Sequence, residues 1–262
     1  RLPGKPLYFL DDHLFGNRRF AAALFDGMRG MGRIWQAAGT VQSVLARGLL
    51  EKAVACGLRS LFVGFETLSS DNLRDHDKHQ NLGRDYTEAI ARLHRLGVMV
   101  NGSFVFGMDG DDASVFDRTV EWAVSHGIET ATFHILTPYP GTELYRRMQT
   151  EGRMLHSDWD LYDTRHTVFR PAHMTPMQLE KGYWQAYERF YEWKSIFRGA
   201  ATKDAFFPAL RHIAYAAGWK KFEPAWDWII QTKRISRMLP VLEGVLTGLG
   251  KVEKGEGERA KR

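Results

Sequence analysis

Carboxylates recur in this chain beside glycines, where a short apolar run gives way to polar residues. Phe9-Leu10 is followed by Asp11-Asp12-His13, and Gly64-Phe65 by Glu66-Thr67. Phe106-Gly107-Met108 runs into Asp109-Gly110-Asp111-Asp112, and Leu136 into Thr137-Pro138-Tyr139-Pro140-Gly141-Thr142. A further run ends Gln36-Ala37-Ala38-Gly39-Thr40. Ionised carboxylates only accept hydrogen bonds, so Asp11, Asp12 and Glu66 suit an ammonium group or the hydroxyls of a sugar. Gly64, Gly102 and Gly107 permit close backbone approach to a flat or bulky ligand. The Pro-Tyr-Pro-Gly turn is stiff, and Tyr139 offers an aromatic face suited to lying beside a purine.

Each signal also has a plainer reading. Asp12 or Asn17 can cap the next helix, and Glu66 can pair with a neighbouring Arg or Lys. Asp109-Gly110-Asp111 looks like the start of a calcium loop. Ser114 stands where that loop needs glycine, however, and Val120 where it needs glutamate, which rejects it. It is the order of these segments, one per apolar run, that makes them specific.

The elements that position them repeat one pattern: amphipathic helix, glycine, apolar strand, polar strand end. Helices are predicted over 19–28, 44–55, 86–96 and 115–125, with strands at 7–10, 34–38, 60–65, up to 106 and up to 136. Glycine just past a helix takes the left-handed conformation and lets the chain turn back. Asn17, Asp85 and Asp112 with Ser114 mark helix starts. Near-continuous apolar strands such as Ser103-Phe104-Val105-Phe106 fit a parallel sheet covered on both faces. The repeat predicts an α/β fold with right-handed crossovers, either doubly wound or closed as a barrel. In both, ligands sit at the carboxyl ends of the strands.

Past Thr142 the repeat stops. A short helix is predicted over 144–148 and an irregular aromatic stretch over 156–173. A long helix follows over 177–197, capped by Thr175 with Pro176 at its first position. Its stripe of Tyr183, Trp184, Tyr187, Phe190, Tyr191 and Trp193 reads as core. A helical region over 206–249 is predicted to be broken at Pro208, Pro224 and Pro240, and a charged tail over 250–262 to be disordered. This gives three parts: a β/α part over 1–155, a helical part over 156–249 and the tail.

The chain has 262 residues, 44% hydrophobic and 26% charged, with a formal net charge of +5. That is ordinary globular composition. The basic excess lies late and reads as a solvated end, so no nucleic-acid partner is expected. Trp219, Trp226 and Trp228 with Lys220 and Lys221 leave peripheral membrane contact as a minor reading. The single cysteine, Cys56, excludes a disulfide framework and points to a reducing, cytoplasmic setting. Arg1 stands first, almost directly before a strand, which suggests that part of a larger protein precedes it.

The ordered set Phe9-Leu10-Asp11-Asp12, Phe62-Val63-Gly64-Phe65-Glu66, Gly102-Ser103-Phe104-Val105-Phe106-Gly107 and Leu136-Thr137-Pro138-Tyr139-Pro140-Gly141-Thr142 resembles radical S-adenosylmethionine (radical SAM) enzymes. It looks most like the branch that carries an N-terminal cobalamin-binding domain, and the likeness spans roughly 5–197. The resemblance implies a partial parallel (β/α) barrel, TIM-barrel-like, of about six units, with this chain starting at the second strand and a mainly helical C-terminal region following. It implies S-adenosylmethionine, a [4Fe–4S] cluster, an electron donor protein, a small-molecule substrate and, in that branch, cobalamin. The cluster cleaves S-adenosylmethionine to a 5′-deoxyadenosyl radical; methyl transfer or cyclisation follows in different members.

By position, Asp11 and Asp12 match the motif holding the ligand's amino group, and Glu66 the strand-end group near ribose or carboxylate. The segment from Gly102 and Ser103 to Gly107 matches the one passing the adenosine. Thr137, Pro138, Tyr139 and Pro140 match the one beside adenine, and Gln36 joins the set from the second strand here. Such a cluster needs three thiolates, and Cys56 alone, at a helix end, reads as a buried inert thiol. The fragment by itself is therefore expected to be inactive. Two other readings stand beside this one. A magnesium-dependent barrel lyase would use Asp11 or Asp12, Glu66 and Asp109 as hard ligands. A non-catalytic barrel would serve as a binding or scaffold module.

Overall fold

The structure is a computed structural model, and it describes residues 6–46, 48–75 and 85–231, with side chains of the last helix described to residue 220. Five strands form one parallel sheet: β1 (Leu7–Tyr8), β2 (Trp35–Thr40), β3 (Leu58–Glu66), β4 (Met99–Phe106) and β5 (Thr130–Ile135). They pair in sequence order, β1-β2-β3-β4-β5. A doubly wound sheet needs a reversal of strand order. Right-handed crossovers without any reversal keep every helix on one face and curl the sheet. The molecule is therefore a partial parallel β/α barrel, which decides between the two architectures the repeat allowed.

The helices between strands are α1 (Arg18–Met28), α2 (Val41–Leu45), α3 (Leu49–Ala55), α4 (Ser70–Asp75), α5 (Tyr86–Arg95) and α6 (Val115–Ser125). After β5 come α7 (Glu143–Thr150), a single 3-10 turn (Trp159–Leu161), α8 (Pro176–Phe190), α9 (Trp193–Ala201) and α10 (Phe206–Gln231). Asn17 accepts a hydrogen bond from the Phe20 amide and Asp85 from the Glu88 amide, as expected of N-caps. Thr175 and Gln178 form a capping box with Pro176 in the first turn.

The convex face of the sheet is apolar and dry. Phe65, Phe104 and Phe133 step across β3, β4 and β5 with ring centroids 5.5 and 5.9 Å apart, and Trp122 of α6 meets Phe65 and Phe104 edge-on. Tyr183, Phe190 and Tyr191 of the predicted aromatic stripe are buried, while Trp184 and Trp193 stay exposed. The outer edge of β5 is closed by side chains. The Tyr191 hydroxyl accepts from the Ala131 amide (3.1 Å) and donates to its carbonyl (3.0 Å). Tyr187 does the same at Phe133 (3.1 and 3.3 Å), and the Ile135 amide donates to the Thr164 carbonyl (2.7 Å). An open edge would otherwise present unpaired backbone groups.

A buried ion pair lies at the amino end of β5. Lys203 Nζ donates to Glu129 Oε1 (2.6 Å) and to the Gly127 carbonyl (2.7 Å), with His94 Nε2 2.9 Å away. Glu129 Oε2 also accepts from the Val100 amide (2.9 Å). Burial alone would raise the Glu129 pKa, but His94 and the Lys203 ammonium outweigh it and hold it at about 2.

Several expectations are corrected. β1 is two residues long rather than four. The helix expected over 44–55 is two helices, because Gly48 takes φ 86° and starts a new one with Glu51 accepting its amide. α4 was not expected. The helix expected over 177–197 breaks at residues 191–192, where Glu192 is extended (ψ 148°) and Tyr191 is tied to β5. Pro208 and Pro224 lie within α10 rather than breaking it; Pro208 falls in the first turn, where its missing N–H has no intrahelical partner to lose. Pro240, the tail over 250–262, and the side chains of Trp226 and Trp228 lie outside the described residues. No helix among the described residues is long and apolar enough to cross a membrane.

Candidate functional site on the concave face

Strand alternation sorts the sheet into two chemically different faces. Trp35, Ala37, Leu61, Val63, Phe65, Phe104, Phe106, Phe133 and Ile135 are buried on the helix side. The partners in register on the other side are Gln36, Ala38 and Thr40 of β2 with Ser60, Phe62 and Gly64 of β3. They continue as Asn101, Ser103 and Val105 of β4 with Thr130, Thr132 and His134 of β5. That face is mostly polar, and Gln36, Thr40, Glu66, Asn101, Thr132 and His134 are only partly covered. The buried Asn101 Oδ1 has no hydrogen-bond partner. A polar concave surface inside a partial barrel is built to be wetted or to hold a polar ligand.

The expected site residues other than Gly102 distribute over this face and its rim. Asp11 and Asp12 follow β1 in an exposed loop, where Asp11 accepts from the His13 amide (2.8 Å). Gln36 lies level with Tyr8. Gly64 stands beside Ser103, and a Cβ on Gly64 would come within 3.0 Å of Glu66 Oε1, so the carboxylate lies over that glycine. Glu66 ends β3 at φ 67°, a left-handed conformation that non-glycine residues adopt at a cost. Gly102 belongs to the other layer: a Cβ there would meet Phe104 and Ile128, so packing accounts for that glycine.

At the end of β4, Gly107 takes φ 94°, and a Cβ on it would lie 2.7 Å from Leu179 Cδ2. The Gly107 and Met108 amides both point at Asp111 Oδ2 (3.0 and 3.1 Å). Asp111 Oδ1 accepts from Asn72 Nδ2 (2.7 Å), and Asn72 Oδ1 takes the Gly110 amide (2.9 Å). Burial pushes the Asp111 carboxyl up to about 6, against the pull of those N–H groups. This Asn72–Asp111 staple, which fixes the Gly107 turn, was not visible in the sequence, because α4 that carries Asn72 has no periodic signal. Asp109, a hard ligand in the magnesium-lyase reading, is paired with Arg153 (2.6 Å) and Arg147 (3.5 Å).

The turn after β5 is closed by a hydrogen bond. Thr142 N donates to the Tyr139 carbonyl (3.1 Å), with Pro140 next and Gly141 at φ 86°, the signature of a type II turn. Thr142 then caps α7 by accepting from the Tyr145 amide, and Thr137 and Pro138 are buried while Tyr139 is 45% exposed at the rim. Because all strands are parallel, the segments carrying Asp12, Glu66, Gly107 and Tyr139 lie at one edge of the sheet.

An iron–sulfur cluster does not fit this chain. Cys56 is its only cysteine. It is buried, its Sγ lies 3.2 Å from the Ala53 carbonyl, and burial raises its pKa. Among the described residues no group of three or more His, Cys, Asp or Glu could hold a metal ion.

The architecture thus defines a β/α half-barrel with a polar inner face. Comparison with known proteins narrows this. Residues 142–211 match a family model described as a domain of unknown function, DUF4070. The chain is 29% identical over 190 residues to bacteriochlorophyllide d C-12(1)-methyltransferase of Chlorobaculum tepidum, covering 72% of this chain and 41% of that protein. It is 27% identical over 148 residues to bacteriochlorophyllide d C-8(2)-methyltransferase of the same organism, covering 56% and 33%. A solved structure of the radical S-adenosylmethionine methyltransferase TsrM from Kitasatospora setae, with cobalamin and a [4Fe-4S] cluster bound, aligns with a TM-score of 0.46. That alignment has 14% identity and covers 67% of this chain and 37% of the other. The chain spans less than half the length of these relatives. The two curated relatives are methyltransferases by name.

Proposed function

We propose that this chain is the barrel segment of a radical SAM enzyme, and that S-adenosylmethionine lies on the concave face at the carboxyl ends of the strands. One observation carries the reading: the sheet is apolar on the face that α1 to α6 cover and mostly polar on the other, with Glu66 held over Gly64 at the strand ends. Asp11 and Asp12 would receive the ammonium group, Glu66 the ribose hydroxyls, and the turn at Thr137, Pro138, Tyr139 and Pro140 the adenine. Gln36 and Ser103 offer further hydrogen bonds from the floor.

The relatives' names favour methyl transfer to a small organic substrate over ring closure. A cluster with thiolates from elsewhere, cobalamin and an electron donor protein complete the proposal, in a cytoplasmic setting. Bound, such a cluster would supply the electron that cleaves the sulfonium; the residues described here bind and orient the ligand.

Calorimetric titration of S-adenosylmethionine into the chain tests this. Binding is expected, weakened about tenfold by Glu66→Gln, the loss of one charge-assisted hydrogen bond. Absence of binding, both to this chain and to the full-length protein that contains it, would overturn the proposal.

A further inference from the structure

Two non-glycine residues among those described have positive φ: Glu66 at 67° and Thr164 at 66°. They belong to distant segments, yet both bear on one side chain, His134. Thr164 Oγ1 lies 3.2 Å from His134 Nδ1, and the Glu66 carboxylate is close enough to act on the ring electrostatically. His134 is opposite Val105 on the concave face, since its neighbour Phe133 faces Tyr187 in the helix layer. Backbone strain is retained where the surrounding structure over-determines a residue, most often at ligand sites.

The topology orients the ring. The Thr164 carbonyl accepts from Ile135 N, so Thr164 lies along the outer edge of β5. Glu66 lies on the far side of β4. With Nδ1 turned toward Thr164, Nε2 is turned toward the barrel interior and Glu66. No protein group among the described residues hydrogen-bonds to Nε2. Burial lowers the His134 pKa, with Glu66 opposing, and this favours a neutral ring at neutral pH. A negative carboxylate across the cavity favours the tautomer with the proton on Nε2, leaving Nδ1 to accept from the Thr164 hydroxyl.

We propose that His134 is a ligand-contacting, specificity-setting residue: its Nε2–H donates to a hydroxyl oxygen of the molecule lying across β4, while Glu66 accepts from a hydroxyl of the same molecule. A carboxylate acceptor and an imidazole donor facing each other across one strand fit a hydroxyl or a pair of hydroxyls, and they disfavour an anionic group. Histidine is not required by packing here, because the helix layer is on the other face. The inference rests on the reading of the concave face as the S-adenosylmethionine site, so the ribose supplies the hydroxyls.

The test uses the full-length protein and S-adenosylhomocysteine, with its 2′-deoxy and 3′-deoxy analogues, in calorimetric titrations. The wild type is expected to bind S-adenosylhomocysteine at least tenfold more tightly than one of the two analogues. His134→Phe keeps the ring bulk; it is expected to lose about tenfold in affinity for S-adenosylhomocysteine and to bind that analogue almost as well. His134→Gln retains an amide N–H near the Nε2 position and is expected to keep most of the preference. Thr164→Val, which leaves the ring in place but frees it, is expected to fall between, and it decides the matter should His134→Phe fail to melt cooperatively. His134→Phe with unchanged affinity and preference would overturn the role of His134 while leaving the ligand site standing. Wild type that does not distinguish the analogues would overturn the hydroxyl contact. Wild type that binds none of the three would overturn both readings.

Discussion

Replacing Lys203 by methionine removes the ammonium that neutralises Glu129 beneath the barrel. The two side chains are 5% and 3% exposed and 2.6 Å apart. At an effective dielectric of about 20 the pair attraction is about 6 kcal/mol, most of it offset by desolvating both ions. Taking away one partner leaves a buried charge, for which losses of about 3–5 kcal/mol are usual. Lys203→Met and Glu129→Gln should each lower stability by that amount, about a fifth or more of a typical domain's total. The double variant leaves no buried charge and should lose much less than the sum, a coupling of about 3 kcal/mol. Urea unfolding followed by tryptophan fluorescence measures all four proteins.

Acid gives a second readout of the same pair. Glu129 is depressed from 4.5 to about 2, so its contribution is present above about pH 4.5 and is lost as pH falls toward 2. Glu129→Gln should flatten that acid limb. Additive single losses, or an unchanged acid limb, would refute the reasoning.

Gly107→Ala should cost about 2–4 kcal/mol, from a left-handed backbone and a Cβ 2.7 Å from Leu179, visible as a lower urea midpoint. Asp111, raised from 3.8 to about 6, binds its proton more tightly when folded. Its contribution is present below pH 3.8 and lost as pH rises through 6, so Asp111→Ala should remove a fall in stability between about pH 4 and 6 in pH-resolved melts. Tyr187→Phe with Tyr191→Phe leaves the Ala131 and Phe133 backbone groups unpaired, and should lower stability by about 2–4 kcal/mol and accelerate amide exchange along β5. Cys56 should resist a thiol reagent in the native state and react once the chain is unfolded in urea.

The repeat of helix, glycine and strand was legible because buried parallel strands read as unbroken apolar runs, and glycines at Gly97 and Gly127 punctuate them with positive φ. The rim motifs were legible for the same reason, since each follows such a run. His134 was not. It sits inside β5, one residue short of the end, between Phe133 and Ile135, and only the register shows that it faces the cavity. Asn72 and Asp111 were missed because their meaning is a contact 39 residues apart in the chain. The break after Phe190 was hidden too, since Tyr191 leaves the helix to reach β5 rather than because of any glycine or proline.

The phenols on β5 make the two margins of the sheet unequal. On that side a newcomer would have to displace Tyr187, Tyr191 and Thr164 from the amides they already occupy. At β1 the pairing among the described residues runs from Leu7 to Phe9 and is made to β2. Among the described residues, the margin at β1 is thus the one that an additional strand could join without displacing a bond already made, and it would extend the curvature of the half-barrel in that direction.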